Sequence, residues 1–206
     1  MALTKVIGNG LGTLGDGTAN DTKIVFDGNG FDYHIGLDDS ANTLVIGKGS
    51  ALGTTTSMSF DSNGVVTKPL QPSFGVKPAS NQNNLANHDV LAFGSEVFDN
   101  NGDFASNTFT APVTGRYQFQ FTARIDEIDT ATNWCRVEMV TSNRMHQATI
   151  IDPDGLDSDP DYWTWNFSVC TDMDAGDTCY LQWGQSGGAN QARCDTDSYF
   201  SGFLVC

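Results

Sequence analysis

The sequence predicts an all-β protein in two parts, a glycine-rich amino-terminal segment over residues 1–70 and a two-layer β domain over residues 71–206. Three observations carry this. Between Arg116 and Thr122 the residues alternate: Tyr117, Phe119 and Phe121 share one side, and Arg116, Gln118, Gln120 and Thr122 the other. That is the period of two of a half-buried strand. Short β-prone runs recur along the chain, separated by Gly, Pro, Asn and Asp clusters that suit turns. No stretch of useful length carries a helical period.

In residues 1–70 the β-prone runs are Lys23 to Phe26, Phe31 to Leu37, Thr43 to Ile46 and Met58 to Phe60. Turn clusters follow them at Asp27 to Gly30, Asp38 to Ser40, Gly47 to Gly49 and Asp61 to Gly64. This segment holds 12 of the 22 glycines. Strands so short, joined by so much glycine, bury little in a single chain, so they are expected to pair or wind with copies of themselves. A phrase recurs at Phe26 to Gly30, Phe60 to Gly64 and Phe98 to Gly102 with unequal spacing, which marks shared hairpin chemistry rather than a solenoid. Pro69, Pro72 and Pro78 stiffen the chain and oppose sheet pairing, so a domain boundary is expected there.

Past that boundary, Phe74 and Val76 open the first strand, and Asn81 to Asn87 is a polar loop. Asn101-Gly102 is a two-residue hairpin signal. Thr108 to Thr110 is a short strand; Pro112 fixes φ and Gly115 can take φ > 0, so the chain can reverse between them. The alternating strand runs on through Ala123 to Ile128. Trp134 to Val140 follows, with Cys135, Val137 and Met139 expected inward, and Gln147 to Ile151 is another candidate strand. Tyr162 to Cys170 and Asp177 to Trp183 are expected to form a hairpin across Met173 to Gly176.

Three ordered pieces carry a resemblance. They are Phe109-Thr110-Ala111-Pro112 with Gly115, Tyr117, Phe119 and Phe121; then Ala175-Gly176-Asp177 with Tyr180 to Trp183; then Tyr199 to Val205. This series resembles the signature of the complement globular-head domains, which share the TNF-like jelly roll, over roughly residues 71 to 206. The later two pieces match that family's penultimate strands and its closing strand. The resemblance implies a jelly-roll sandwich assembled as a homotrimer, with the flat aromatic faces of three sandwiches around a threefold axis. It implies little about function, because a jelly roll hosts many unrelated tasks.

Composition narrows the partners. The net charge is −15, from 25 Asp and Glu against 10 Lys and Arg. Such a field repels nucleic acid and anionic membranes, so neither is expected as a partner. No segment approaches the roughly 18 apolar residues of a membrane helix, so no membrane insertion is expected. Met1 to Ile7 is too short and too weakly basic for a secretion signal, which points to synthesis in a cytoplasm. The five cysteines, Cys135, Cys170, Cys179, Cys194 and Cys206, are an odd set without CxxC spacing, which argues for reduced, packed thiols. Cys170 and Cys179 flank the turn at Asp174-Ala175 symmetrically, so they are candidates to face each other across adjacent strands.

Two places offer chemistry. Asp152, Asp154, Asp157, Asp159 and Asp161 put five carboxylates into ten residues, and hard oxygen ligands on a flexible loop suit Ca²⁺. The spacing does not fit an EF-hand, and a solvated loop is the plain alternative. Some relatives of the globular head hold calcium near the trimer axis, so calcium is the one cofactor expected, if there is one. Tyr162 and Trp163, bordering that loop, are candidates for stacking on a sugar, against the alternative that strand tryptophans fill a core or an interface. His34, His88 and His146 stand apart from any nucleophile constellation, so no catalytic residues are expected.

The amino-terminal segment, through Ile24 to Gly28, Ile35 to Gly47 and Phe60 to Val66, resembles in texture the stretches that precede receptor-binding domains in tailed-phage fibres. This implies a virion protein assembled in the host cytoplasm. Residues 1–70 would join other virion proteins of tail or capsid, and the head would meet a host-surface glycan or protein. A capsid decoration protein and a bacterial extracellular adhesin are the alternatives; the missing export signal and the odd cysteine count weigh against the adhesin.

Overall fold

The computed structural model describes residues 14, 15 and 17–206, so the opening run Met1 to Ile7 lies outside the described residues. The chain divides into two compact units, Met1–Leu70 and Gln71–Cys206.

In the first unit β1 (Thr22–Phe26), β2 (Tyr33–Asp38), β3 (Thr43–Lys48), β4 (Thr56–Phe60) and β5 (Val66–Thr67) form one antiparallel meander in chain order. Side-chain hydrogen bonds set its turns. The Asp61 carboxylate accepts the N–H groups of Asn63 and Val65, both at 2.8 Å, and Asp38 accepts the Ser40 hydroxyl and the Ala41 N–H. The register aligns Ile24, Ile35, Ile46 and Met58 in one row and Leu37, Leu44, Phe60 and Val66 in the next, all on one face. The opposite face carries Lys23, Val25, His34, Val45, Ser59 and Thr67. Val45 is the one hydrophobic side chain described in this unit that is buried, so a single copy has almost no core.

The second unit is a two-sheet sandwich. Its strands are β6 (Ser73–Lys77), β7 (Ser95–Asp99), β8 (Phe104–Ala105), β9 (Thr108–Thr110), β10 (Gly115–Asp126), β11 (Thr132–Thr141), β12 (Met145–Gln147), β13 (Tyr162–Met173), β14 (Thr178–Gly187), β15 (Arg193–Cys194) and β16 (Tyr199–Leu204). One sheet runs β13-β10-β16-β6-β7, with β15 also paired to β10, and the other runs β12-β11-β14-β9-β8. All ladders are antiparallel. The core lies between the sheets. Phe74 is fully buried there, stacked 5.0 Å from both Phe104 and Phe109 and edge-on at 5.0 Å to Phe200. Further along, Trp165 meets Trp183 edge-on at 5.5 Å.

Tyr117, Phe119, Phe121, Cys135, Val137 and Met139 all point into this core, as their parity requires. Several turn expectations are corrected. β13 pairs with β10 while β14 pairs with β11 and β9, so Met173 to Gly176 carries the chain from one sheet to the other and makes no hairpin. Cys170 is therefore exposed on one sheet and Cys179 buried in the other, both as free thiols, rather than facing each other. Asn101-Gly102 likewise links β7 of one sheet to β8 of the other. Turn chemistry reverses a chain locally, but which layer it rejoins depends on where both apolar faces can be buried.

Gly115 also departs from expectation, because its φ is not positive. It is needed for space: a Cβ there would stand 2.7 Å from the Leu204 Cδ1 atom and 2.8 Å from the Cys206 carbonyl oxygen. The strand foreseen at Gln147 to Ile151 lies earlier, at β12, and Ile151 forms only an isolated bridge to Cys135.

Candidate functional site

The outward face of the β13-β10-β16-β6-β7 sheet differs in kind from the rest of this acidic chain. Its register sets three rows across the strands: Asn166, Thr122 and Tyr199; then Ser168, Gln120, Ser201, Gly75 and Phe98; then Cys170, Gln118, Phe203 and Ser73. None of these side chains carries a formal charge. Thr122 Oγ1 donates to Asn166 Oδ1 at 2.7 Å, and Gln118 Nε2 donates to Ser168 Oγ at 2.7 Å, so neighbouring strands hold one another's polar groups in place. A groove of about 440 Å³ runs between Gln120, Thr122, Asn166, Ser168 and Tyr199. Phe98 and Phe203 are exposed beside it.

The aromatic surface expected on this sheet is thus only partly there. The aromatic parity of β10 is spent inside the sandwich, and the outward face is an amide and hydroxyl strip with three aromatic side chains, Phe98, Tyr199 and Phe203.

Charges close the strip at both ends. At one end Arg144 pairs with Asp172, whose carboxyl that contact holds below the usual range. At the other, Asp126 is fully buried and accepts Arg124 Nε at 2.9 Å and Arg193 Nη2 at 2.7 Å, while Arg124 also reaches Asp197 at 2.8 Å. The Asp126 hydrogen bond is the largest cause of the raised pKa of each arginine. Sequence reasoning missed this cluster. Arg124 and Asp126 share a parity and so were findable, but nothing local links them to Arg193.

Residues 73–205 match the C1q domain family, well over half of the chain. The chain belongs to the C1q domain family. Among solved structures, the globular domain of the zebrafish complement 1qA protein is similar at 17% identity with a TM-score of 0.50, covering 66% of this chain and 98% of that one. Murine APRIL at pH 8.5 is similar at 10% identity with a TM-score of 0.45, covering 66% of this chain and 99% of that one. At these identities the likeness concerns the fold. No match is found among curated proteins. C1q domains are a trimer-forming family of typically non-enzymatic binding and structural domains.

In this C1q domain Asp152 and Asp154 adjoin each other, while Asp157, Asp159 and Asp161 have surroundings of their own. Asp152 Oδ1 accepts the Asp154 N–H at 3.3 Å at the start of a single 3-10 turn, Pro153–Gly155, and its charge is the main cause of the raised pKa of Asp154. Asp159 Oδ1 accepts both the N–H and the hydroxyl of Thr130 at 2.8 Å, and Oδ2 accepts Gln191 Nε2 at 2.8 Å, contacts that lower its pKa. Asp161 offers its backbone oxygen to the Glu127 N–H, and Asp157 is exposed. Among the described residues no group of three His, Cys, Asp or Glu side chains is arranged to hold a metal ion.

Tyr162 and Trp163, as adjacent strand residues, point to opposite sides. Tyr162 is 67% exposed with the Arg124 guanidinium 5.4 Å from its ring centre, and Trp163 tilts against Trp165 at 6.3 Å. They do not form one platform. Burial, and then Arg144, lower the pKa of His146, whose Nε2 lies 3.4 Å from the Thr171 hydroxyl. Burial pushes the Cys135 thiol up to about 12 and the Cys194 thiol up to about 11, and Cys179 is raised further, which makes all three poor nucleophiles.

Proposed function

We propose that this C1q-domain protein is a non-enzymatic structural protein of a tailed-bacteriophage virion, of the tail-fibre type, displaying a trimeric head for host attachment. The observation that carries the trimer is the uncharged strip around Gln120. On a chain with a net charge of −15, copies repel one another, and a face without formal charge is where three of them can meet at least electrostatic cost. The amide and hydroxyl groups left in the groove supply hydrogen bonds that identical neighbours can complete.

The head then works by multiplicity. Three weak contacts on one rigid body give an avidity that a single contact lacks. The end of the sandwich bearing Tyr162, Trp163 and the loop through Asp157 is the surface we assign to a host glycan or protein, Tyr162 offering a ring face to solvent. The poorly reactive buried thiols and the isolated histidines fit a binding role rather than catalysis.

Sedimentation of the full chain tests the assembly, with a threefold mass expected. Gln120→Glu places a carboxylate in the joint with no cation to meet it. A cost of about 3 kcal/mol for an unpaired buried charge should weaken association roughly 100-fold while leaving the head folded. Unchanged mass in that variant would place the joint elsewhere. Added protein should compete with particle adsorption to host cells. If it binds particles but fails to compete at saturation, the capsid decoration role replaces the fibre.

A further inference from the structure

The meander of the first unit leaves one face open. Its two inner rows, Ile24-Ile35-Ile46-Met58 and Leu37-Leu44-Phe60-Val66, are apolar throughout, and most of their members are exposed. The polar groups lie at the margin of the face: Thr22 at the end of one row, and Tyr33 and Lys48 beside Phe26 in the outer row, the Lys48 Nζ drawn 3.8 Å from the centre of the Phe31 ring. The arrangement is an apolar centre with a polar rim, the anatomy of an interface. A groove of about 260 Å³ between Ile24, Ile35, Leu37 and Leu44 leaves room for a side chain from outside.

We propose that this face is covered by the same face of two other copies, so that three sheets spanning residues 22–67 close a prism with an apolar interior. The copy number rests on the trimeric head proposed above. Two arguments favour copies of this chain as the occupant. A six-residue strand is about 20 Å long and five strands spaced about 4.8 Å apart are about 20 Å wide, so each face measures on the order of 400 Å². Two such faces cover roughly 800 Å², the scale of a lattice contact; three bury roughly 1,200 Å² in one continuous apolar interior, about 400 Å² from each copy, so a pair is too small and even three need a tether. The second argument is tethering. Chains joined through their heads hold their first units at an effective concentration near the millimolar range, which offsets the modest area.

The test uses the full chain with the two exposed native thiols removed (Cys170→Ser, Cys206→Ser) and one cysteine added, either Ile46→Cys at the centre of the face or Ser59→Cys on the opposite face. A short bis-maleimide should link Ile46→Cys chains into covalent dimers on a denaturing gel, with the third chain of each assembly left single because each chain offers one reactive thiol, and leave Ser59→Cys chains single. Ile35→Glu should abolish the Ile46→Cys linkage. It should leave tryptophan fluorescence unchanged, because all four tryptophans lie in the second unit. A threefold mass without linkage at position 46 would overturn the prism and leave the head trimer standing; the face would then belong to another virion protein or to the chain's own first residues. Equal linkage at 46 and 59 would also overturn it. A monomeric mass with no linkage would sink both the prism and the trimeric head.

Discussion

Replacing Gly202 by alanine tests whether the jelly-roll core is as tightly filled as its ring contacts require. In a strand, glycine is disfavoured relative to alanine by about 0.5–1 kcal/mol, so propensity alone predicts a gain. Gly202 also lacks the positive φ that would bar a side chain. The surroundings reverse the sign. An added Cβ would stand 2.4 and 2.7 Å from two atoms of the Phe119 ring and 2.9 Å from the Phe74 ring, against a normal carbon contact of about 3.5–4.0 Å. Phe119 has little room to swing, with Phe109 at 5.6 Å, Tyr117 at 6.1 Å and Phe200 at 6.2 Å. Overpacking of this kind costs about 1–3 kcal/mol, and rigid rings put it near the upper end. The net loss should be about 2 kcal/mol, or roughly 8 °C in the melting temperature of a unit this size. Tryptophan fluorescence melts at one fixed protein concentration measure it, because assembly makes the midpoint depend on concentration. Phe119→Leu should relieve part of the clash, giving a coupling of at least about 1 kcal/mol in a double-mutant cycle. A higher midpoint for Gly202→Ala, or strict additivity with Phe119→Leu, would refute the reasoning.

Three further outcomes are expected. Burial first, and then Arg144, lower the pKa of His146 below the ordinary histidine value of 6.5, so the folded state prefers the neutral ring. Stability should be full above pH 6.5 and be lost as the pH falls through the depressed folded value, and His146→Gln should flatten that part of the Tm–pH curve; a curve identical to the parent's would count against it. Native protein treated with maleimide should take up label at Cys206 and stay unlabelled at Cys135, Cys179 and Cys194, which are buried, and at Cys170, which lies in the strip assigned to the joint; intact-mass detection of an adduct on any of the three buried thiols would contradict the packing. A calcium chelator should leave the melting temperature unchanged, because Asp159 is already engaged by Thr130 and Gln191; a clear fall would restore the acidic loop as a calcium site.

Much of the strand content follows from local chemistry. The inward parity of Tyr117, Phe119 and Phe121, and of Cys135, Val137 and Met139, is legible because a strand's period of two is a property of the backbone itself. The Phe109 to Pro112 and Tyr199 to Val205 pieces carried the resemblance that the C1q family match bears out. Candidate chemistry was less legible. The acidic loop offered both a cation site and a solvated loop in sequence, and the hydrogen bonds of Asp159 to Thr130 and of Asp152 within its 3-10 turn were not legible there, because they depend on which segments meet in space.

What the amino-acid order determined unaided is where strands run and which side of each is apolar. Only the tertiary structure decided which layer each strand joined: Met173 to Gly176 and Asn101-Gly102 reverse the chain as their residues demand, yet both cross between sheets. It alone brought Arg193 to Asp126, set Asn166, Ser168 and Ser201 beside Gln120, and aligned Ile24, Ile35, Ile46 and Met58 into one row. The reason is one of range. Backbone sterics act over two to four residues, whereas layer and register are fixed by burying whole faces, and a slip of one residue would turn every side chain of a strand to the other side.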